Sequence, residues 1–161
     1  MDLKRLAKDT AIYGLSSIVG RFLNYLLSLL YTHIFPAEDG GLGVVTNIYA
    51  YTALLLVLLT FGMETTFFYF ANRDEVDPKR AFSTSANAVG LVSLVFWLLC
   101  MIFGQPIANV MGYDAHPEFI RMMASVVALD AFQAILFSQL RYQNRAIKFA
   151  TLKLLFIIAN I

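Results

Sequence analysis

Long apolar segments separated by short polar ones make up most of the chain. A helix needs about 20 mostly apolar residues to cross a bilayer. Four segments reach that length, at about residues 11–35, 44–70, 84–103 and 119–140, and a fifth begins near 146 and continues to 161. The pattern predicts an all-α polytopic membrane bundle with four transmembrane helices and the start of a fifth.

The connecting segments predict turns and short loops rather than an inserted domain. They read "PAEDGG", "ANRDEVDPKRAFS", "GQPIANVMGYDAHPE" and "RYQNRAIK", and their Pro, Gly, Asn and Asp content is typical of turns. The fifth apolar segment stops about 15 residues in. We therefore expect residues 1–161 to be the N-terminal portion of a larger helical bundle whose C-terminal half is absent.

Composition supports the membrane assignment. The chain is 59% hydrophobic and 14% charged, whereas a soluble domain carries about 25% charged residues. Too little polar surface remains to cover a water-soluble globule. The net charge of +1 gives no electrostatic support for nucleic-acid binding, so we expect membrane lipids and no nucleic acid among the partners.

Basic residues alternate between the loops. Three precede the first segment, three lie between the second and third, and three lie between the fourth and fifth, whereas the other two loops contain none. The nine are Lys4, Arg5, Lys8, Arg73, Lys79, Arg80, Arg141, Arg145 and Lys148. This alternation matches the positive-inside rule and predicts a cytoplasmic N-terminus.

The first apolar segment contains a stripe of polar side chains. Ser17, Arg21, Asn24, Ser28 and Tyr31 follow one another at steps of four, three, four and three residues. Residues three and four apart share one face of a helix. A helix surrounded by lipid would not carry such a stripe, so we expect this face to turn toward other helices or a wet cavity.

Arg21 needs something to offset its charge. It lies about 15 Å into its segment by helical rise, near the middle of a hydrocarbon core about 30 Å thick. An unpaired charge at that depth costs about 2.5 to 3.5 kcal/mol on insertion scales. Asp130, with Gln133 on its face, and Glu64, with Thr60 four residues back, are the acidic candidates. We hypothesise that Arg21, Asp130 and Glu64 face one polar interior.

Each of these residues allows more than one role. Arg21 could form a structural salt bridge between helices, contact substrate in a cavity, or do both. Asp130 could be a structural partner or a proton or ion site. Glu64 could be an interfacial acid that extends toward the membrane surface.

No catalytic motif is present in the sequence. We find no Walker A, GxSxG, HExxH or CxxC motif and no Asp-rich Mg²⁺ motif. His33 has no second ligand at metal-binding spacing. We therefore expect no enzymatic activity, cofactor or metal.

Two stretches in order carry a resemblance to a transporter family. The first is "DTAIYGLSSIVGRFLNYLLSLLYTHIFPAEDGGLGVVTNIYAY", and the second is "LTFGMETTFFYFANRDE" before the third segment. Together they resemble the N-terminal part of bacterial Wzx-like O-antigen and capsule flippases, in the multidrug/oligosaccharidyl-lipid/polysaccharide exporter (MOP) superfamily. One departure is Gly40, because relatives more often have a bulky residue there.

The resemblance implies a fold and a function. The fold would be two pseudo-symmetric helical bundles around a central cavity, in the bacterial cytoplasmic (inner) membrane. The substrate would be an undecaprenyl-diphosphate-linked oligosaccharide, translocated by alternating access for surface polysaccharide biosynthesis such as that of lipopolysaccharide. Arg21 would contact its diphosphate, and Asn24, Ser17 and Ser28 would bond to sugar or phosphate oxygens. Asp130 and Glu64 would either tune Arg21 or couple transport to a cation. Polysaccharide polymerases and glycosyltransferases are further candidate partners.

Two other function classes stay open. A MATE-like cation-coupled antiporter of small molecules belongs to the same superfamily, but its cavity would be dominated by acidic residues without a buried arginine, so Arg21 argues against it. A small non-transporting membrane protein, or a remnant, is the other alternative.

Overall fold

The structure, a computed structural model, describes residues 3–34 and 41–160. Some positions within the helices are described by their backbone alone. These are residues 3–9, 16–17, 20–21, 24–25, 28, 32 and 158–160.

Every regular element in the described residues is an α-helix, and no strand occurs among them. The all-α prediction is therefore confirmed. The seven helices are α1 (Leu3–Ile34), α2 (Gly41–Thr60), α3 (Met63–Ala71), α4 (Pro78–Ile102), α5 (Gly104–Met111), α6 (Pro117–Tyr142) and α7 (Ala146–Asn160).

Three stretches of the described helices are long and apolar enough to cross a membrane. They are Gly41–Ala71, which joins α2 and α3, Pro78–Ile102 and Pro117–Tyr142. This supports a membrane protein. α1 and α7 are not among the three: α1 is long enough but carries Arg21 and Asn24 among its apolar residues, and α7 is 15 residues long. The count of four spans and a fifth stays a prediction.

The second predicted segment, 44–70, is one continuous helix in the sequence interpretation and two helices in the structure. Phe61 has φ 31° and Gly62 has φ 73°, so both leave the right-handed helical region. α2 ends with the Phe61 N–H bonded to the Val57 carbonyl at 3.1 Å, and α3 starts with the Thr66 N–H bonded to the Gly62 carbonyl at 3.0 Å. A left-handed conformation costs glycine little but is rare for a bulky aromatic residue.

The prediction of a simple loop between the third and fourth segments is wrong. The structure places the amphipathic helix α5 there, with Gly104 and Ala108 buried and Val110 89% exposed. Gly112 ends α5 with φ 78°, and the Tyr113 N–H bonds to the Ala108 carbonyl at 2.8 Å. This is the bonding pattern of a glycine C-cap.

The chain forms two compact units. One consists of Met1–Thr46 and Leu140–Ile161, and the other is Asn47–Gln139. In the first unit α7 packs against α1, and the rings of Tyr13 and Phe149 meet edge to face with centroids 5.0 Å apart.

The second unit has its core along one face of α6. Val127, Ala131 and Ile135 recur at four-residue spacing and are fully buried, as one side of a helix packed against neighbours requires. The buried cluster comprises Leu59, Val89, Ala108, Ile120, Met123, Val127, Ala131 and Ile135. Large apolar side chains such as Leu129 and Val57 point outward, at 69% and 70% exposure, which suits contact with lipid or further helices.

Candidate functional site

α1 runs without interruption through the polar stripe. The backbone is helical from Leu3 to Ile34, so Ser17, Arg21, Asn24, Ser28 and Tyr31 fall within an arc of about 80° around the helix axis at 3.6 residues per turn. The side chains of the first four lie outside the described residues, and Tyr31 is half-buried. Their shared face follows from the helical backbone, whereas their contacts stay predictions.

The opposite face of α1 is apolar and exposed. Four large apolar side chains there are between 44% and 63% exposed: Ile18, Phe22, Leu26 and Leu29. Viewed down the helix axis, their mean direction differs from that of the polar stripe by about 130° at 3.6 residues per turn. Large exposed apolar side chains at this density suit hydrocarbon rather than water. α1 therefore has one face suited to lipid and another that carries Arg21.

Glu64 is held by a hydroxyl from α6. It lies half-buried in the first turn of α3, where the positive end of the helix dipole favours a carboxylate. The fully buried Ser138 donates from Oγ to Glu64 Oε2 at 3.0 Å and also lies 3.0 Å from the Ala134 carbonyl.

The break also changes the sequence interpretation of Glu64. Thr60 lies four residues earlier, but it ends α2, whereas Glu64 belongs to α3. The Thr60 hydroxyl donates to the Leu56 carbonyl at 2.9 Å. Thr60 and Glu64 therefore belong to different helices, because Phe61 and Gly62 interrupt the helix.

The structure does not bring Glu64 and Asp130 together. Asp130 is exposed on α6 and forms no hydrogen bond or ion pair with the described residues. It lies eight residues before Ser138, about 12 Å along the helix, whereas Ser138 bonds directly to Glu64. Gln133 is half-buried on the turn that follows Asp130. Asp130 is thus an acidic group on the surface of its unit at membrane depth.

Two polar contacts between distant segments were not expected from the sequence. Trp97 donates from Nε1 to Ser125 Oγ at 3.0 Å, linking α4 to α6. Asn47 donates from Nδ2 to the Tyr113 hydroxyl at 2.9 Å, linking α2 to the segment after α5. The only signal for either was a polar group inside or beside an apolar segment, which does not identify its partner.

A groove of about 550 Å³ runs between α4 and α6 beside the Trp97–Ser125 bond. Its floor is made of small residues: an added Cβ on Gly90 would lie 3.4 Å from the Phe132 ring. Its lining is Gly90, Ser93, Leu94, Trp97, Ser125, Ala128, Leu129 and Phe132. The groove is mainly apolar and holds no charged side chain.

Acidic and histidine side chains do not gather into a metal site within the part of the chain that the structure describes. His116 Nδ1 lies 2.8 Å from Glu118 Oε1, and both side chains are about half exposed, near the start of α6. Comparisons with known proteins add no assignment: no family model, no curated protein and no solved structure matches this chain.

Proposed function

We propose that this chain is the N-terminal part of a membrane transporter that translocates undecaprenyl-diphosphate-linked oligosaccharides across the bacterial cytoplasmic membrane by alternating access, for surface polysaccharide biosynthesis. The observation that carries the proposal is on α1. Arg21 lies within a continuous helix whose polar positions occupy one face and whose opposite face is apolar and exposed. A diphosphate is the kind of group that such an arginine would bind.

The physical case concerns the cost of Arg21 in a bilayer. Desolvating an arginine near the membrane centre costs about 2.5 to 3.5 kcal/mol or more. Guanidinium matches phosphate oxygens with a planar fork of donors, and such charge-assisted hydrogen bonds are about twice as strong as neutral ones. Asn24, Ser17 and Ser28 extend the same helix face and would bond to the remaining phosphate or sugar oxygens.

The proposal also requires a finer arrangement in the membrane. α1 would be the first span despite its polar stripe, because that stripe would face a cavity rather than lipid. α7 would begin a fifth span, and the N-terminus would be cytoplasmic. The rest of the transporter would supply the second bundle, since repeat-built transporters hold substrate between two halves.

Asp130 is the better candidate for coupling to a cation. Its carboxylate forms no hydrogen bond or ion pair with the described residues, whereas Glu64 accepts a hydrogen bond from Ser138. A MATE-like antiporter would use such an acid as its main substrate contact, but it would have no use for Arg21. A non-transporting role would leave the polar stripe to structural contacts between helices.

The test is rescue of surface polysaccharide in a flippase-deficient bacterial host that expresses the protein from its complete reading frame. Arg21→Ala should reduce the surface polysaccharide at least roughly tenfold, because one charge-assisted contact is worth about 1.5 kcal/mol or more. Arg21→Lys should retain part of the activity, because it keeps the charge and loses the fork.

Phe22→Ala is the matched control, because Phe22 is the next residue and lies on the exposed apolar face. It should rescue like the wild type at equal membrane abundance. Full rescue by Arg21→Ala would remove the diphosphate role, and failure of the wild type to rescue any polysaccharide-deficient host would remove the transport proposal.

A further inference from the structure

A second, smaller groove lies between α3 and α4, where the two helices are joined by a short segment. Its volume is about 270 Å³, which is room for a headgroup rather than a large ligand. It is lined by Met63, Thr66, Phe70, Val76, Arg80, Ala81, Thr84 and Ser85. The lining combines one cation, three hydroxyls and four apolar side chains.

Arg80 is the only charged group in this lining, and no carboxylate of the described residues forms an ion pair with it. The joining segment does contain acids, at Asp74, Glu75 and Asp77. Asp77 caps α4, accepting a hydrogen bond from the Lys79 N–H at 2.9 Å. The guanidinium of Arg80 therefore keeps its five donors available for a ligand.

A neighbouring arginine shows a different arrangement. The Arg73 guanidinium lies over the Tyr69 ring, 4.5 Å from its centroid, and bonds to the Tyr69 hydroxyl. The guanidinium of Arg73 is thus held by Tyr69 of α3, whereas that of Arg80 lines the groove.

Two hydroxyl groups of α4, those of Thr84 and Ser85, line the same groove as Arg80. Ser85 is 3% exposed, lines the groove, and forms no hydrogen bond with the described residues. Thr84 is exposed on the same helix and also forms none. Thr66 donates from Oγ1 to the Gly62 carbonyl at 3.2 Å, so its proton is already used and it supplies no donor to an anion. The Ser85 hydroxyl can donate to a ligand that occupies the groove.

We propose that this groove binds the phosphodiester headgroup of an anionic glycerophospholipid. Arg80 pairs with a phosphate oxygen, and the hydroxyls of Thr84 and Ser85 donate to the others. Met63 and Phe70 contact the glycerol and the first acyl carbons. The groove lies at the ends of two membrane-length stretches, on the side that the basic residues predict to be cytoplasmic, where anionic headgroups attract cationic side chains.

This site is independent of the proposed function, because it uses none of the residues of the α1 stripe. Free phosphate shares the headgroup chemistry but not the acyl chains. The four apolar side chains of the lining favour a lipid over a free anion, since they gain only from a ligand that carries hydrocarbon.

The test is native mass spectrometry of the purified full chain in detergent, titrated with phosphatidylglycerol. We expect one tight lipid adduct, whose dissociation constant rises roughly tenfold in Arg80→Gln, as loss of one charge-assisted contact predicts. Thr84→Val keeps the shape of an exposed side chain and should weaken the same adduct by a factor of roughly three. Lys79→Gln is the matched control: it removes the adjacent charge, which does not line the groove, and should leave the adduct unchanged.

Each outcome decides the proposal. Equal weakening by Lys79→Gln and Arg80→Gln would mean general attraction by surface charge and would overturn it. Competition by inorganic phosphate at the concentration of the lipid would show that the anion alone is recognised and would overturn the lipid assignment. Equal affinity for phosphatidylcholine would overturn the preference for an anionic headgroup. Melting temperatures of all variants by circular dichroism exclude unfolding as the cause.

Discussion

At the scale of single residues, the bond between Ser138 and Glu64 makes the most direct prediction. Ser138→Ala removes the donor that holds a half-buried carboxylate, and an ionised group that loses a hydrogen bond costs about 1–3 kcal/mol. We expect the free energy of unfolding to fall by that amount. Reversible denaturation of the chain in detergent, followed by circular dichroism, measures it.

Ser83→Ala is the control for that measurement. Ser83 is exposed on α4 and forms no hydrogen bond with the described residues, so its loss should change the stability by less than about 0.5 kcal/mol. In a double-mutant cycle with Glu64→Gln, the effect of Ser138→Ala should shrink, because the charged acceptor is gone. Equal effects in both backgrounds would show that Ser138 acts by packing alone.

Polar residues inside apolar segments could be identified from the sequence, but their partners could not. Glu64, Asp130 and Arg21 are conspicuous because charged side chains are rare in membrane segments. Ser138 and Ser125 are not, since serine is common in such helices. Their roles depend on how two helices meet, and a contact between residues 74 positions apart leaves no periodic signal in the chain.

At the scale of elements, the break between α2 and α3 makes a prediction about Gly62. An added Cβ at Gly62 would meet nothing within 4 Å, so Gly62→Ala has no steric clash with neighbours. Its φ of 73° nevertheless disfavours alanine by about 1 kcal/mol. We expect the unfolding free energy to fall by that amount, measured by the same denaturation.

Gly14→Ala is the matched substitution, because Gly14 lies inside the continuous helix α1 and also has nothing within 4 Å of an added Cβ. Alanine is the better helix former there, by roughly 0.5–1 kcal/mol. The two variants should therefore shift stability in opposite directions. A stabilising effect of Gly62→Ala would mean that α2 and α3 form one continuous helix.

The helices themselves were predictable to different degrees. α6 extends its predicted segment by two residues at each end, and α4 begins six residues before its segment and ends one residue before the segment does. Both were recognisable because about 20 consecutive apolar residues leave few alternatives. Neither the break at Phe61 nor helix α5 was predicted. Phe61 belongs to an apolar run that favours a continuous helix. The Pro and Gly residues around α5 are typical of a loop, although the residues of α5 itself have an amphipathic pattern.

At the scale of the whole molecule, the distribution of charge implies one orientation in the membrane. Arg73, Lys79 and Arg80 lie where α3 is joined to α4, and Arg141 and Arg145 lie where α6 is joined to α7. The stretch from α5 to the start of α6 has no Lys or Arg before Arg121. Basic residues remain preferentially on the cytoplasmic side, so the groove at Arg80 and the N-terminus should face the cytoplasm together.

Cysteine labelling in intact cells tests this orientation. In a Cys100→Ala background, which removes the one thiol of residues 1–161, Asp114→Cys and Asp74→Cys place single thiols at exposed positions in the two opposite joining segments. A membrane-impermeant maleimide should label Asp114→Cys in intact cells and Asp74→Cys only after the membrane is permeabilised. The reverse result would place the N-terminus outside and would move the Arg80 groove away from the leaflet where anionic headgroups attract basic residues.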